Sequence, residues 1–335
     1  MPTTPRSIID DRRSRQRQAA LACEEDDIWN ASQAREDSPG AMVQTFTYPT
    51  GSHDPQCFVK FTSSRTQGLL EVERRNHEFP FNTLRELQQP ASQESELLVC
   101  VPEIFRALEY LDYYFLMMEF VPGKTLYQLS WEDACAGRRQ RDPSTSNKYI
   151  DAGIRMLRVK APPGAKPGPV GGGRIRNPLF KNCEATAPYR DVEMLETHLN
   201  KVIRLRTYRN PDWTPTVRLE KELEFCYSNW SVQNFIIMTL GNHTLLYILN
   251  FIDASFLPPS FMTMLLRRRR KTMLEYVQGA EHAVPVEEGD EEDQLALRTV
   301  EYFLQTSIND FGLPLEDYSE TNLDEIRRLR DQDFW

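Results

Sequence analysis

The sequence predicts an α+β protein of two lobes, a small β-rich lobe followed by a larger helical one. Three observations carry this. Short runs rich in β-branched and aromatic residues crowd the stretch from Met42 to Val121, and Pro122-Gly123 then punctuates the chain. Beyond that break helical periodicity prevails, with one apolar strand pair set into it. The expected division is a flexible polar tail over 1–40, a β-rich lobe and connecting segment over 41–123, and a helical lobe over 124–335 that holds a hairpin at 225–253. A chain of 335 residues with 40% hydrophobic residues is long enough to bury the core this requires.

Each element has its own signal. The first forty residues are charged and weakly periodic, with at most a short helix around "QAALACEEDDIWN". "MVQTFTYP" and "QCFVKF", separated by the turn-prone "PTGSHDP", read as a β-hairpin. "GLLEVERRNHEFPFNTLREL" spaces Leu69, Leu70, Val72, Phe79, Leu84 and Leu87 among charges, a helix expected to break at Pro80. "LLVCVPEIFRALEYLDYYFLMMEFV" supplies two or three further strands. "KTLYQL" opens a helix, a polar insertion covers 132–147, and "NKYIDAGIRMLRVK" sets Ile150, Ile154 and Leu157 on one helical face. "APPGAKPGPVGGG" is loop by its Pro and Gly content. Val192, Leu195, Leu199 and Ile203 mark the next helix. Two apolar strands, "EKELEFCYSNWSVQNFIIM" and "TLLYILNFIDASFLPP", are joined by the hairpin signal "TLGNH", and the remainder reads as helix around the acidic loop 286–293.

Composition excludes several function classes. A net charge of −9 lacks the basic footprint of a general nucleic-acid binder. The six cysteines are scattered without a C-x-x-C pair and the five histidines are dispersed, which matches neither a disulfide framework nor a zinc site. No run reaches the roughly 18 apolar residues of a membrane span, and "FIIMTLGNHTLLYILNFI" is broken at Gly241-Asn242-His243. The expected location is cytoplasmic, with the basic run Arg267–Lys271 as a nuclear-targeting alternative to the simpler reading of a solvated helix face.

Three stretches bear on chemistry. Lys60 in "CFVKF" is flanked by apolar residues on a strand. A phosphotransferase lysine so placed grips nucleotide phosphates and pairs with a helix glutamate, here Glu71, Glu73 or Glu78. Taken alone, Lys60 reads more simply as an edge-strand lysine facing solvent. "YYFLMMEFVPGKTL" runs a buried strand through Glu119 and Phe120 into a Pro-Gly turn, as an interlobe segment does when its backbone amide and carbonyl groups hold an adenine ring. "CYSNWSVQNF" then puts Asn229 five residues before Asn234, with Asn250 after the following strand pair. Phosphoryl transfer needs a carboxylate base and oxygen ligands for Mg²⁺ on such a frame.

In order, spacing and flanks these stretches resemble the aminoglycoside phosphotransferase-like kinases, especially their fungal members, over residues 41–262. The segment "LRVKAPPGAKPGPVGGGRIRNPLF…VEMLETHLN" and "LNFIDASFLPPSF" extend the likeness. The resemblance implies a bilobal protein-kinase-like fold, ATP and Mg²⁺ as cofactors, and Lys60, Glu119 and Phe120 at the nucleotide. It also places Tyr227 at the position of the family's catalytic-loop histidine, Ser228 at its glycine, Asn229 at its catalytic aspartate, Asn234 at a metal-binding asparagine, and Asn250 at the second metal-binding aspartate.

Both catalytic aspartates are thus amides. Asn229 has no basic group to accept a proton, a loss that typically costs about 10²- to 10⁴-fold in rate. Asn250 offers a cation a neutral oxygen where a hard ion prefers charge. No carboxylate lies between Tyr227 and Asn234, and the glycine-rich phosphate loop is missing: Gly51 stands alone in its place. The expected function is a kinase-like pseudoenzyme serving as a nucleotide- or partner-binding module, with weak or absent ATP and Mg²⁺ binding. The alternative is an active phosphotransferase on a small-molecule hydroxyl that uses Asp253 as a replacement carboxylate.

Overall fold

The computed structural model describes residues 5–33, 42–87, 97–136, 143–208, 213, 215–276, 291–308, 310–319, 323–324 and 326–328. The fold is α+β, a sheet-rich N-terminal region followed by a mainly helical part. By internal contacts it forms two compact units: Met1–Arg141 with Ser231–Ile252, and Asp142–Trp230 with Asp253–Trp335.

In the first unit, β1 (Gln44–Tyr48), β2 (Cys57–Ser63), β4 (Ile104–Tyr110) and β5 (Tyr113–Glu119) form an antiparallel sheet in the order β1-β2-β5-β4. Alternation along β2 sends Cys57, Val59 and Phe61 into a core with Phe115 and Met117. Helix α3 (Gln67–Leu87) lays Leu70, Glu73, Asn76, His77, Pro80 and Leu84 along its buried stripe. It continues through Pro80 instead of breaking there. Proline removes one backbone donor, but the buried residues on both sides of it belong to a single packed face that holds the helix together.

The expected polar tail is another correction. Residues Pro5–Ala22 form α1 and Glu25–Gln33 form α2. Ile9, Gln16 and Ala20 make a buried stripe on α1, and Ala20, Ile28 and Ala31 join the β2–β5 core. Residues 34–40 of that stretch lie outside the described residues.

The two long apolar segments around the hairpin prove to be four strands. β8 (Phe235–Leu240) and β9 (His243–Ile248) pair across the two-residue turn Gly241-Asn242, where Gly241 adopts φ +59°. β7 (Glu224–Tyr227) pairs instead with β10 (Ala254–Leu257). The hairpin belongs to the first unit because β3 (Leu97–Cys100) runs parallel to β9 and β6 (Lys124–Thr125) pairs with β8. The boundary expected at 123/124 therefore moves, and α4 (Leu126–Cys135) also falls in the first unit.

In the second unit, α5 (Pro143–Leu157) buries Ile150, Ile154 and Leu157 completely, and α6 (Val192–Thr207) buries Leu195, Leu199 and Ile203. The Asp191 carboxylate caps α6 by accepting from the Met194 amide at 2.8 Å. The Pro-Gly loop is pinned to β10 by reciprocal Gly168–Phe256 backbone bonds. Gly168 sits at φ +144°, and a Cβ there would meet the Gly173 carbonyl oxygen at 2.6 Å, so only glycine fits. α7 (Pro259–Tyr276) and α8 (Glu291–Gln305) complete the unit. α7 carries Arg267–Lys271, but the side chains of 268–271 lie outside the described residues, as do residues 286–290 of the acidic stretch and 137–142 of the polar insertion. No helix among the described residues is long and apolar enough to cross a membrane.

Two buried histidines give the fold a pH dependence. His77 donates from Nε2 to the Pro102 carbonyl, and His198 donates from Nε2 to the Phe311 carbonyl while Nδ1 accepts from the Tyr189 hydroxyl. Burial lowers each imidazole pKa to about 4, below the usual 6.5. The unfolded chain then binds protons that the folded chain refuses, so both contributions are complete above pH 6.5 and fade as pH falls toward 4. Urea titrations between those limits should show stability dropping with a slope approaching about 1.4 kcal/mol per pH unit for each histidine. His198→Gln, whose amide does not titrate, should flatten that slope.

Candidate functional site

Central position in the sheet decides the status of Lys60. It lies on β2 between β1 and β5, its side chain only 11% exposed, which removes the reading of a solvent-facing edge lysine. Because Val59 and Phe61 face the core, Lys60 points from the opposite face of the sheet. There its ammonium meets the Glu73 carboxylate, which is 1% exposed. Of the three candidate glutamates, Glu71 accepts from Gln67 and Glu78 pairs with Arg74, so the phase of α3 selects Glu73.

The same helix face holds the segment that follows β9. Asn76 donates from Nδ2 to the Phe251 carbonyl at 3.0 Å, and the His77 ring packs edge-on against Phe251 at 5.0 Å between centroids. This fixes the neighbouring Asn250 at φ +61°, a left-handed conformation that asparagine tolerates better than most residues. Asn250 Oδ1 accepts from Lys60 Nζ at 3.4 Å, and Asn250 Nδ2 faces Asn234 Oδ1 at 3.5 Å. The Leu249 amide donates to the Asn234 carbonyl at 2.9 Å, tying the two asparagines together through the backbone as well. Lys60, Glu73, Asn250 and Asn234 therefore form one cluster in the first unit.

Tyr227, Asn229 and Asp253 belong to the second unit. Tyr227 is fully buried at the end of β7, opposite Ala254 of β10. Ser228 donates its amide to the Asp253 carbonyl at 2.8 Å, and its hydroxyl accepts from Asn177 at 2.9 Å. Asn229 donates from Nδ2 to Asp253 Oδ2 at 3.3 Å, while Arg176 donates from Nε to Asp253 Oδ1 at 3.1 Å. Both oxygens of the only carboxylate proposed as a replacement are thus engaged within the unit. Burial pushes the neighbouring Cys226 thiol up to about 12, far from a nucleophilic thiolate.

Glu119 and Phe120 are placed differently. The register pairs Glu119 with Cys57 and Leu116 with Lys60, so the Glu119 side chain projects from the face opposite Lys60. It is fully buried between Arg12 Nη2 at 2.5 Å and Arg13 Nε at 2.7 Å, and it also accepts from the Glu103 amide. Tyr247 donates to it at 3.3 Å, its phenol pKa raised by burial and by the Glu119 charge. The Glu119 amide donates to Glu103, and the Phe120 carbonyl accepts from Gln16 at 3.1 Å. This α1 clamp was missed at the sequence level. The stripe Ile9, Gln16, Ala20 was its only available signal.

The donor set does not suit Mg²⁺. That ion takes oxygen ligands in an octahedron and is usually held by one or two carboxylates. Here the Asn250 oxygen faces an ammonium, the Asn234 oxygen faces an N–H, and Glu73 is paired with Lys60. Among the described residues no group of three or more His, Cys, Asp or Glu side chains is arranged to hold a metal. A separate cavity of about 620 Å³ in the second unit, walled by the Pro-Gly loop, Tyr189 and Phe256, contains none of the candidate catalytic, nucleotide or metal residues named from the sequence.

No family model and no curated protein matches the chain. Among solved structures, two of WbdD show similarity, one of them described as a bifunctional kinase-methyltransferase. Their TM-scores are 0.34 and 0.31 at 12% and 13% identity, covering 88% and 81% of this chain. The chain spans about half the length of those proteins, 49% and 45%. What stands for this chain is the fold itself: α+β, with a sheet-rich region ahead of a mainly helical one.

Proposed function

We propose that the protein is a nucleotide-binding module of aminoglycoside phosphotransferase-like type whose phosphotransfer chemistry is impaired. The observation that carries this reading is the Lys60–Glu73 pair on a central strand and α3, directed at Asn250 and Asn234. A buried ammonium needs a partner or ligand to justify its desolvation, and this one is presented with amide groups beside it. Asn229 cannot act as a base, and Asp253 is committed to Arg176 and Asn229, which favours impaired chemistry over an active enzyme.

ATP should raise the melting temperature of the full chain, since a ligand selective for the native state stabilises it. No Mg²⁺-dependent phosphate release should accompany that shift. Lys60→Met alone would leave Glu73 buried without its partner, so the informative variant is K60M/E73Q, which removes both charges together. It should fold and lose the ATP shift. ATP turnover that vanishes in K60M/E73Q would overturn the reading.

A further inference from the structure

We infer that this site takes its nucleotide without a divalent cation, an inference that rests on the nucleotide-binding reading above. The argument is one of hydrogen-bond polarity. Lys60 is a donor only, so the Asn250 group facing it at 3.4 Å must be the carbonyl oxygen. That fixes the orientation of the amide and turns its NH₂ toward Asn234 Oδ1. Flipping Asn250 to free its oxygen would set an NH₂ against an ammonium. The result is a directed chain, Lys60 to Asn250 to Asn234, in which each amide oxygen faces a proton.

A metal would need those same two oxygens. Placed on Asn250 Oδ1, a dication would stand beside the Lys60 ammonium with only neutral ligands to offset the repulsion. Glu73 is the buried carboxylate of the cluster, and it already balances Lys60. Moving the Asn250 side chain away is opposed by its backbone, held at φ +61° by the Asn76 bond to the next residue. A phosphate oxygen has the opposite requirement. It needs donors, and the Lys60 ammonium and the amide N–H groups are donors. The cluster is therefore matched to an anion and mismatched to its usual counter-ion.

The inference is tested on the full chain by calorimetry and thermal shift with ATP, once in EDTA and once in excess MgCl₂. ATP should bind in EDTA at least as tightly as in MgCl₂, and MgCl₂ alone should produce no shift. Asn250→Asp, which puts a carboxylate between Lys60 and Asn234, should make binding metal-dependent, with ATP held more than about tenfold tighter in MgCl₂ than in EDTA. Binding by the wild-type chain in MgCl₂ but not in EDTA would overturn the inference and leave the nucleotide reading standing. Binding in neither condition would overturn both. The wild-type comparison decides the question even where the Asn250→Asp chain does not fold.

Discussion

Replacing Glu119 with alanine is expected to destabilise the protein by about 3–5 kcal/mol, the range seen when one partner of a buried ion pair is removed. Glu119 is fully buried, and Arg12 and Arg13 are only 16% and 15% exposed. Truncation leaves two guanidinium groups facing a cavity, together with the Glu103 amide that had donated to the carboxylate. Arg13 keeps its bond to the Val101 carbonyl and Arg12 keeps Tyr247, but neither partner carries charge. Glu119→Gln preserves the shape and one acceptor oxygen, so its cost should be smaller. Urea melts of both variants check the ordering. A loss under about 1 kcal/mol for Glu119→Ala, the level of a surface pair, would mean that α1 is not held by this clamp.

Asn229→Asp should destabilise the chain at neutral pH by about 1 kcal/mol, the lower end of the cost of leaving a polar group without its partner, because Asn229 and Asp253 are only half-buried. The wild-type amide donates to Asp253 Oδ2 at 3.3 Å, and a carboxylate there would oppose Asp253 at the same distance. Two carboxylates so close share a proton, which the pair holds to higher pH than the unfolded chain does. The folded variant then binds more protons than the unfolded one. Its stability is greatest in acid, where the shared proton is in place, and falls as pH rises above the ordinary carboxylate range. Arg176 offsets part of the repulsion through its bond to Oδ1. Melting curves at about pH 4.5 and 7, on either side of that titration, should show the deficit at the higher pH alone. Asn229 is therefore woven into the local bonding. N229D/N250D restores both carboxylates and should raise turnover by about 10²–10⁴-fold where the lost base is the only defect.

The local signals were legible because they are local. Alternation around Lys60 and the Leu-Gly-Asn-His turn located β2 and the β8–β9 hairpin, and the five-residue interval from Asn229 to Asn234 located the loop. The choice among Glu71, Glu73 and Glu78 was not legible, since all three are acidic and lie on the same helix. Only the phase of α3 against β2 settles it. Pro80 misled for a related reason: a propensity argument weighs one residue, while the buried stripe of α3 spans the whole helix.

By itself the sequence determined the α+β class, the order of most elements, and the chemical identity of the groups at 60, 229, 234 and 250. Those depend on side-chain type and short-range periodicity, which are written in consecutive residues. Tertiary structure alone decided that α1 is docked through Arg12 and Arg13, that the apolar hairpin segments split between two sheets, and that Asn250 turns its oxygen to Lys60. The first and the last of these pair groups 106 to 190 residues apart in sequence, and β7 reaches β10 only across the whole intervening hairpin. A charged or amide side chain shows what it can bind, and only the folded backbone shows which partner lies within reach.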